Sequence, residues 1–299
     1  MKHRTLTPTV CVLLAFLCMQ ARAENCFDPP TDPMSKNTAD WKRLVKWTPP
    51  ATNPEILDLQ RLPAGRGNNI NLDYYSFTFK KHPSRTIQDV FSRTRQRFEV
   101  YARGPARNSD QYFAAYRASA GLDAEQQKNA KLWASPKPLG ALMTFVLASL
   151  QPPLTLTATG TGLVPVLEQG DVLVTCSNDL DFIFTTARTK KNDWHPVSGN
   201  RGFGMRDNGD GTWTFYSMAA DRRAPYVMGQ VAESRRWIWN KAHPFSSDLP
   251  DPEEELFRLG EEFWKSFFAA MKDDLETQGM SWVSETVNST RYVYPLDGG

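Results

Sequence analysis

Cysteine, histidine and long apolar runs are all scarce in this chain, and each scarcity removes a class of protein. Four cysteines occur among 299 residues. Cys11 and Cys18 fall within an N-terminal export signal, which leaves Cys26 and Cys176. One pair is too few for a disulfide scaffold, so the fold must rest on a hydrophobic core. In an oxidising compartment that pair is a candidate bridge from the N-terminal tail to a central strand, and two buried free thiols are the alternative. His82, His195 and His243 follow the signal, and each precedes a proline. Backbone before proline is biased to extended or turn geometry. No HExxH exists, and no histidine spacing suits zinc. The expectation is no metal and no cofactor. No GxSxG elbow is present either. After the signal, the run Leu139 to Leu150 stops at Pro152-Pro153, well short of the about 20 apolar residues a spanning helix needs.

An excess of charge of one sign is also missing. The chain carries 35 basic and 33 acidic residues. The signal holds Lys2, Arg4 and Arg22 and no acid, so the remainder is close to neutral. That balance argues against a dedicated nucleic-acid binder. A local crowd of arginines, Arg85, Arg93, Arg95, Arg97, Arg103 and Arg107, reads as a solvated helix face.

Residues 1–23 form the clearest feature. A basic start at Lys2 and Arg4, an apolar run from Val10 to Met19 and the small residues of Ala21-Arg22-Ala23 are the three parts of a cleavable secretory signal. The expected mature chain begins near Glu24 and is secreted or periplasmic. Neither Cys18, after Leu17, nor Cys26, after Asn25, fits a lipidation site.

Residues 24–70 are rich in Pro, Asn and Asp and read as an extended arm on the body of the protein, with one short amphipathic helix over Ala39 to Trp47. Residues 71–299 read as a single α+β domain. Asn71 to Lys80 alternates aromatic and polar residues and predicts a strand. Thr86 opens a helix whose apolar positions run from Ile87 through Phe98 to Tyr101 and which ends at Gly104-Pro105. Asp110 to Ser119 and Asp123 to Trp133 read as helical. Strands are expected at Leu154–Ala158, Val164–Leu167, Asp171–Cys176 and Asp181–Thr186. Arg201–Arg206 and Thr212–Ala219 flank Asp207-Asn208-Gly209-Asp210-Gly211. That turn starts like a calcium loop but has Met218 where an EF-hand needs Glu, so it reads as a hairpin turn. The longest helix runs from Pro250 to Glu276, capped by Asp251, with Leu256, Leu259, Phe263, Trp264, Phe267, Phe268, Met271 and Leu275 on one broad apolar face. Its acidic pairs form the wet face. Ser281–Val287 and Thr290–Tyr294 read as late strands, and Asn288-Ser289-Thr290 is a glycosylation sequon.

The densest polar segment runs from Trp194-His195-Pro196 through Gly199 and Arg201 to Gly204, and Asp221-Arg222 follows the hairpin. It reads either as a structured loop with its arginines paired to acids or as the mouth of a pocket. The candidate ligand contacts are Trp194, His195, Arg201 and Arg222, with Phe263 and Phe267 on the long helix. His195 and Asp221 are the only, and weak, catalytic candidates.

The element order, and the stretch from Phe184-Thr185-Thr186 through Trp194-His195-Pro196 to Phe215 and Asp221-Arg222, resembles a bacterial branch of the helix-grip (START/Bet v 1-like) superfamily over roughly residues 71–278. The resemblance implies a curved antiparallel sheet wrapped on a long C-terminal helix around an apolar cavity, here with an extra helical insertion. It implies binding of a lipid or other apolar small molecule more than catalysis, and it carries over no catalytic residue. Aromatic residues at 12% of the chain suit such a pocket and suit an ordinary core equally. The competing expectations are a secreted hydrolase or toxin using His195 as a base, and an adaptor whose partner docks on residues 24–70.

Overall fold

The computed structural model describes residues 26–27, 35–36, 39–49, 53–103, 112–117, 123–148, 167–192, 194–225 and 251–296. The signal at 1–23, the strands expected at 154–158 and 164–166, and His243 lie outside the described residues.

The protein is α+β. Its centre is a large curved antiparallel sheet of nine strands. The elements in chain order are α1 (Ala39–Lys46), β1 (Ile56–Leu59), β2 (Asn69–Lys80), α2 (Ile87–Gln96), α3 (Phe98–Ala102), β3 (Tyr112–Ala115), α4 (Asp123–Ala134), β4 (Leu142–Ala148), β5 (Leu167–Ser177), β6 (Asp181–Thr189), β7 (Val197–Asp207), β8 (Thr212–Arg223), α5 (Pro252–Thr277) and β9 (Trp282–Val293). The sheet order is β3-β4-β5-β6-β7-β8-β2-β9, and β1 pairs with β6. The first long strand, β2, therefore lies against the last strand of the meander, β8.

Alternation along the strands builds two cores. On β2, Tyr75, Phe77 and Phe79 enter a cluster with Phe182, Phe184, Phe203, Phe215 and the α5 residues Phe263, Phe267, Phe268, Met271 and Leu275. Ile70, Leu72 and Tyr74 point to the other side, where they meet Cys26, Phe27, Trp41, Leu44 and Leu62. Residues from the Pro-rich segment thus cover the back of the sheet. The bridge Cys26–Cys176 joins that cover to β5, with a Cα–Cα distance of 5.7 Å.

The helix-facing core is unusually aromatic. Phe98 sits at its middle, with ring centroids of Phe267 at 4.8 Å, Phe203 at 5.0 Å and Phe113 at 5.5 Å, all edge-on. Such pairings add to the burial of the rings themselves.

Local chemistry explains the ends of the elements. Thr86 and Asp89 form a reciprocal capping box at the start of α2. Asp251 accepts the Glu253 N–H at the start of α5, with Pro252 at its first turn. The β7–β8 turn uses Gly209 and Gly211 at φ +79° and +88°, a backbone region that glycine enters without penalty. Asp207 and Asp210 accept the N–H groups of Gly209 and Thr212 there.

Four elements differ from the sequence reading. The expected helical insertion holds one helix, α4, while Leu142–Ala148 within it is strand β4, paired with β5. Residues 112–115 are a strand, not a helix: Phe113 is buried in the aromatic cluster and Tyr112–Ala115 pairs with β4, so sheet pairing overrides the local pattern. The helix opened by Thr86 breaks at Arg97 into α2 and α3. At that break the Arg97 guanidinium and the Tyr101 hydroxyl both donate to Asp274 on α5. The two late strands are one, because Asn288 and Ser289 continue the pairing opposite Tyr74 and Asp73.

Candidate functional site

One end of the helix-facing side of the sheet is polar. On β2 the positions in phase with Tyr75, Phe77 and Phe79 continue to Asp73 and Asn71. On β8 those in phase with Trp213 and Phe215 continue to Ser217 and Asp221. On β7, Arg201 continues the row of Met205 and Phe203. Strand pairing then brings these residues side by side.

Arg201 organises the group. Its Nη2 donates to Asp73 at 2.9 Å, and its Nη1 reaches the Ser217 hydroxyl at 3.4 Å. The Trp264 ring of α5 lies 4.2 Å from the guanidinium carbon, and that of Tyr75 lies 5.9 Å away, a cation–π arrangement. Asp73 is also held by the Ser289 hydroxyl at 2.6 Å. Beyond Ser289, Arg291 leans toward Glu254 and Glu261. The polar group thus crosses four strands and meets the first half of α5.

Asp221 is the member left wanting. Its carboxylate stands 3.7 Å from Arg201, too far for a hydrogen bond, and it takes no other hydrogen bond among the described residues. The residue is 8% exposed. Burial pushes its carboxyl up to about 7; Arg201 pulls it down and Asp73 pushes it up again. Gly199, directly opposite on β7, leaves the space it occupies: a Cβ there would lie 2.8 Å from the carboxylate and 2.0 Å from the Ala220 carbonyl. The Tyr75 hydroxyl is buried with no partner as well. Burial first, then Asp73, holds it protonated. The buried Tyr75 hydroxyl is costly unless something completes it, and the Asp221 carboxylate close to Arg201 keeps only a small exposed area.

The other expected contacts lie elsewhere. Arg222 faces the back of the sheet, where it donates to the carbonyls of Leu62 and Gly67 and stacks on Tyr294. Phe263 and Phe267 are interior members of the aromatic cluster. Trp194 is half-buried under the Arg188 guanidinium.

His195 sits where β6 changes partner. Pairing with β7 ends at Thr185–Asn200, and β1 takes over from Ala187. Gln60 fills the fork: its Oε1 accepts the His195 N–H at 2.6 Å, and its Nε2 donates to the His195 carbonyl at 3.0 Å. The imidazole packs over Gly170, and its Nδ1 meets the backbone of Val197. Burial pushes it down to about 4, so it is neutral at pH 7. No described carboxylate bonds it. His195 and Asp221 therefore do not form a pair.

Asp73, Tyr75, Ser217, Trp264 and Ser289 were not among the site residues expected from the sequence; Trp264 was read only as part of the apolar face of the long helix and Ser289 only as part of the sequon. One signal was present: an acid at 73 in phase with Tyr75, Phe77 and Phe79 breaks an apolar row. Among the described residues no cluster of His, Cys, Asp and Glu suits a metal ion. No protein-family model matches the chain, and no curated protein matches it.

Proposed function

We propose that this chain is an exported ligand-binding protein of the helix-grip kind, which holds an amphiphile between α5 and the sheet with the polar head at Arg201 and Asp221. The observation that carries this reading is Asp221, a largely buried carboxylate with no hydrogen bond among the described residues, beside a fixed guanidinium at the border of the buried aromatic core. Binding sites have this composition: mostly apolar walls and a few placed polar groups. A ligand hydroxyl or amine would supply the donor that Asp221 lacks, and an apolar body would follow Trp264 toward the aromatic rings.

The strand order supports the helix-grip resemblance. The resemblance implies the order strand, helix, several antiparallel strands and a long helix; β2, α2–α3, β4–β8 and α5 follow that order, and β9, after α5, is an addition to it. Export rests on residues 1–23. The Cys26–Cys176 bridge is compatible with it, and among the described residues no helix is long and apolar enough to cross a membrane. The hydrolase reading through His195 and the adaptor reading through residues 24–70 have no comparable observation in their favour.

The test is isothermal titration of the mature chain with single-chain amphiphiles bearing hydroxyl, amine or carboxylate heads. The expected result is binding of a donor-headed amphiphile, weakened about tenfold or more by Asp221→Asn and by Arg201→Gln, the scale of one lost hydrogen bond to a charged group. Binding that ignores both substitutions, or none across the panel, contradicts the reading.

A further inference from the structure

Gly260 lies at the centre of the inward face of α5. Leu256, Phe257, Phe263, Trp264 and Phe267 stand three, four or seven residues from it, the spacings that share one side of a helix. Those neighbours face the sheet: Leu256, Phe257, Phe263 and Phe267 are buried, and Trp264 packs on Arg201 and Phe203. Glycine inside a helix is less favourable than alanine, and close packing does not demand it here. A Cβ at this position would meet nothing within 4 Å among the described residues, beyond ordinary carbon contact. Gly199 and Gly202, by contrast, are crowded at 2.0 and 2.3 Å. Gly260 is also only half-buried, so the space in front of it reaches solvent. The inward face of α5 therefore has a notch one helical turn before Trp264.

The notch lies over the polar end of the sheet. Before it, Glu253 of α5 accepts the Asn69 N–H of β2; after it, Trp264 covers Arg201. The charges around it are unequal. On the α5 side, Lys265 and Arg291 offset Glu261 and Glu254. On the sheet, Arg201 alone faces both Asp73 and Asp221, and it bonds Asp73. One carboxylate is in excess, and it is Asp221. The unpartnered Tyr75 hydroxyl lies in the same field, with Asp73, Arg201, Glu261 and Arg291 as its charged neighbours. A carboxylate head would add to the excess. A hydroxyl head has one O–H to give, whereas an ammonium has three N–H donors and no acceptor. It can balance Asp221 and also donate to the Tyr75 oxygen.

We propose that the notch at Gly260 takes a single-chain amine, its ammonium on Asp221 and the Tyr75 hydroxyl and its apolar chain lying against Gly260 and Trp264. This rests on the ligand reading above and narrows it to a cationic head and a stated path.

The experiment is isothermal titration of the mature chain with dodecylamine, dodecanol and dodecanoate, each kept monomeric, for the wild type, Gly260→Leu and Tyr75→Phe. Dodecylamine should bind the wild type about tenfold or more tightly than either other head. Gly260→Leu should weaken that binding about tenfold or more while melting at or above the wild-type temperature, because leucine enters open space and is the better helix former. Tyr75→Phe should weaken dodecylamine more than dodecanol. Equal binding of the three heads, or dodecylamine binding indifferent to Gly260→Leu, overturns the proposal and leaves the ligand reading standing. A lower melting temperature for Gly260→Leu shows that the notch is filled and overturns it as well. Binding of none of the three by the wild type removes the ligand reading and this proposal together.

Discussion

Replacing Asp221 by asparagine should change the pH dependence of stability in a defined direction. In the folded chain burial raises the carboxyl from its ordinary 3.8 to about 7. Between those values the native state holds a proton that the unfolded chain has released. Stability from this group therefore falls as pH rises from about 4 to about 7 and is level above that. At about 1.4 kcal/mol per pH step, the span from 3.8 to about 7 gives an upper figure of roughly 4 kcal/mol, and relaxation around a charge this close to Arg201 lowers it to about 2–4 kcal/mol. Asparagine keeps the shape and cannot ionise. The assay is urea unfolding of the wild type and Asp221→Asn at intervals from pH 4.5 to 8. The variant should gain on the wild type steadily across that span, and their difference should stop changing above about pH 8. Parallel curves would mean that Asp221 is solvated or hydrogen-bonded and would remove the buried carboxylate on which the ligand reading rests.

Other substitutions probe the remaining parts. Arg201→Met should destabilise the fold by about 3–5 kcal/mol at neutral pH, because it leaves the buried Asp73 carboxylate unpaired; thermal unfolding reads it. Gly199→Ala should lower the melting temperature more than Gly260→Ala, since the first Cβ meets the Ala220 carbonyl at 2.0 Å and the second meets nothing within 4 Å. Reducing the Cys26–Cys176 bridge opens a loop with a sequence separation of 150 and should cost about 2–5 kcal/mol, measured by denaturation with and without reductant. His195 has the opposite sign to Asp221: its folded value of about 4 lies below the ordinary 6.5. It should therefore cost stability as pH falls through 6.5 toward 4, and His195→Gln should flatten that acid limb.

Much of the fold was legible because its signals are local. The cap at Asp251, the apolar face of α5, the alternation of β2 and the acidic turn at 207–211 each depend on neighbours in sequence, and each appears in the structure at that place. Residues 112–115 were misread because their strand exists only through pairing with β4, which no local window contains. The break at Arg97 likewise depends on Asp274, far along the chain. The site divides in the same way. Arg201 stood out as part of a dense polar segment, and Asp221 as its neighbour after the hairpin. Arg222, adjacent in sequence, points to the other face of the sheet, since successive strand residues alternate. Asp73 and Ser289 join the group only through the pairing of β2 with β8 and β9. His195 drew notice for its company in sequence, but the fork at β6 holds it by Gln60 and Val197.

In the proposed function, Arg201 and Asp221 hold the polar head of a bound amphiphile. The most direct measurement is native mass spectrometry of the mature chain purified from its producing cells, wild type beside Asp221→Asn. The wild type should carry a discrete added mass, released by organic extraction as a molecule with an apolar chain and a hydroxyl or amine head, and the variant should largely lack it. A wild-type chain at its bare sequence mass that also takes up no amphiphile when supplied with one would contradict it.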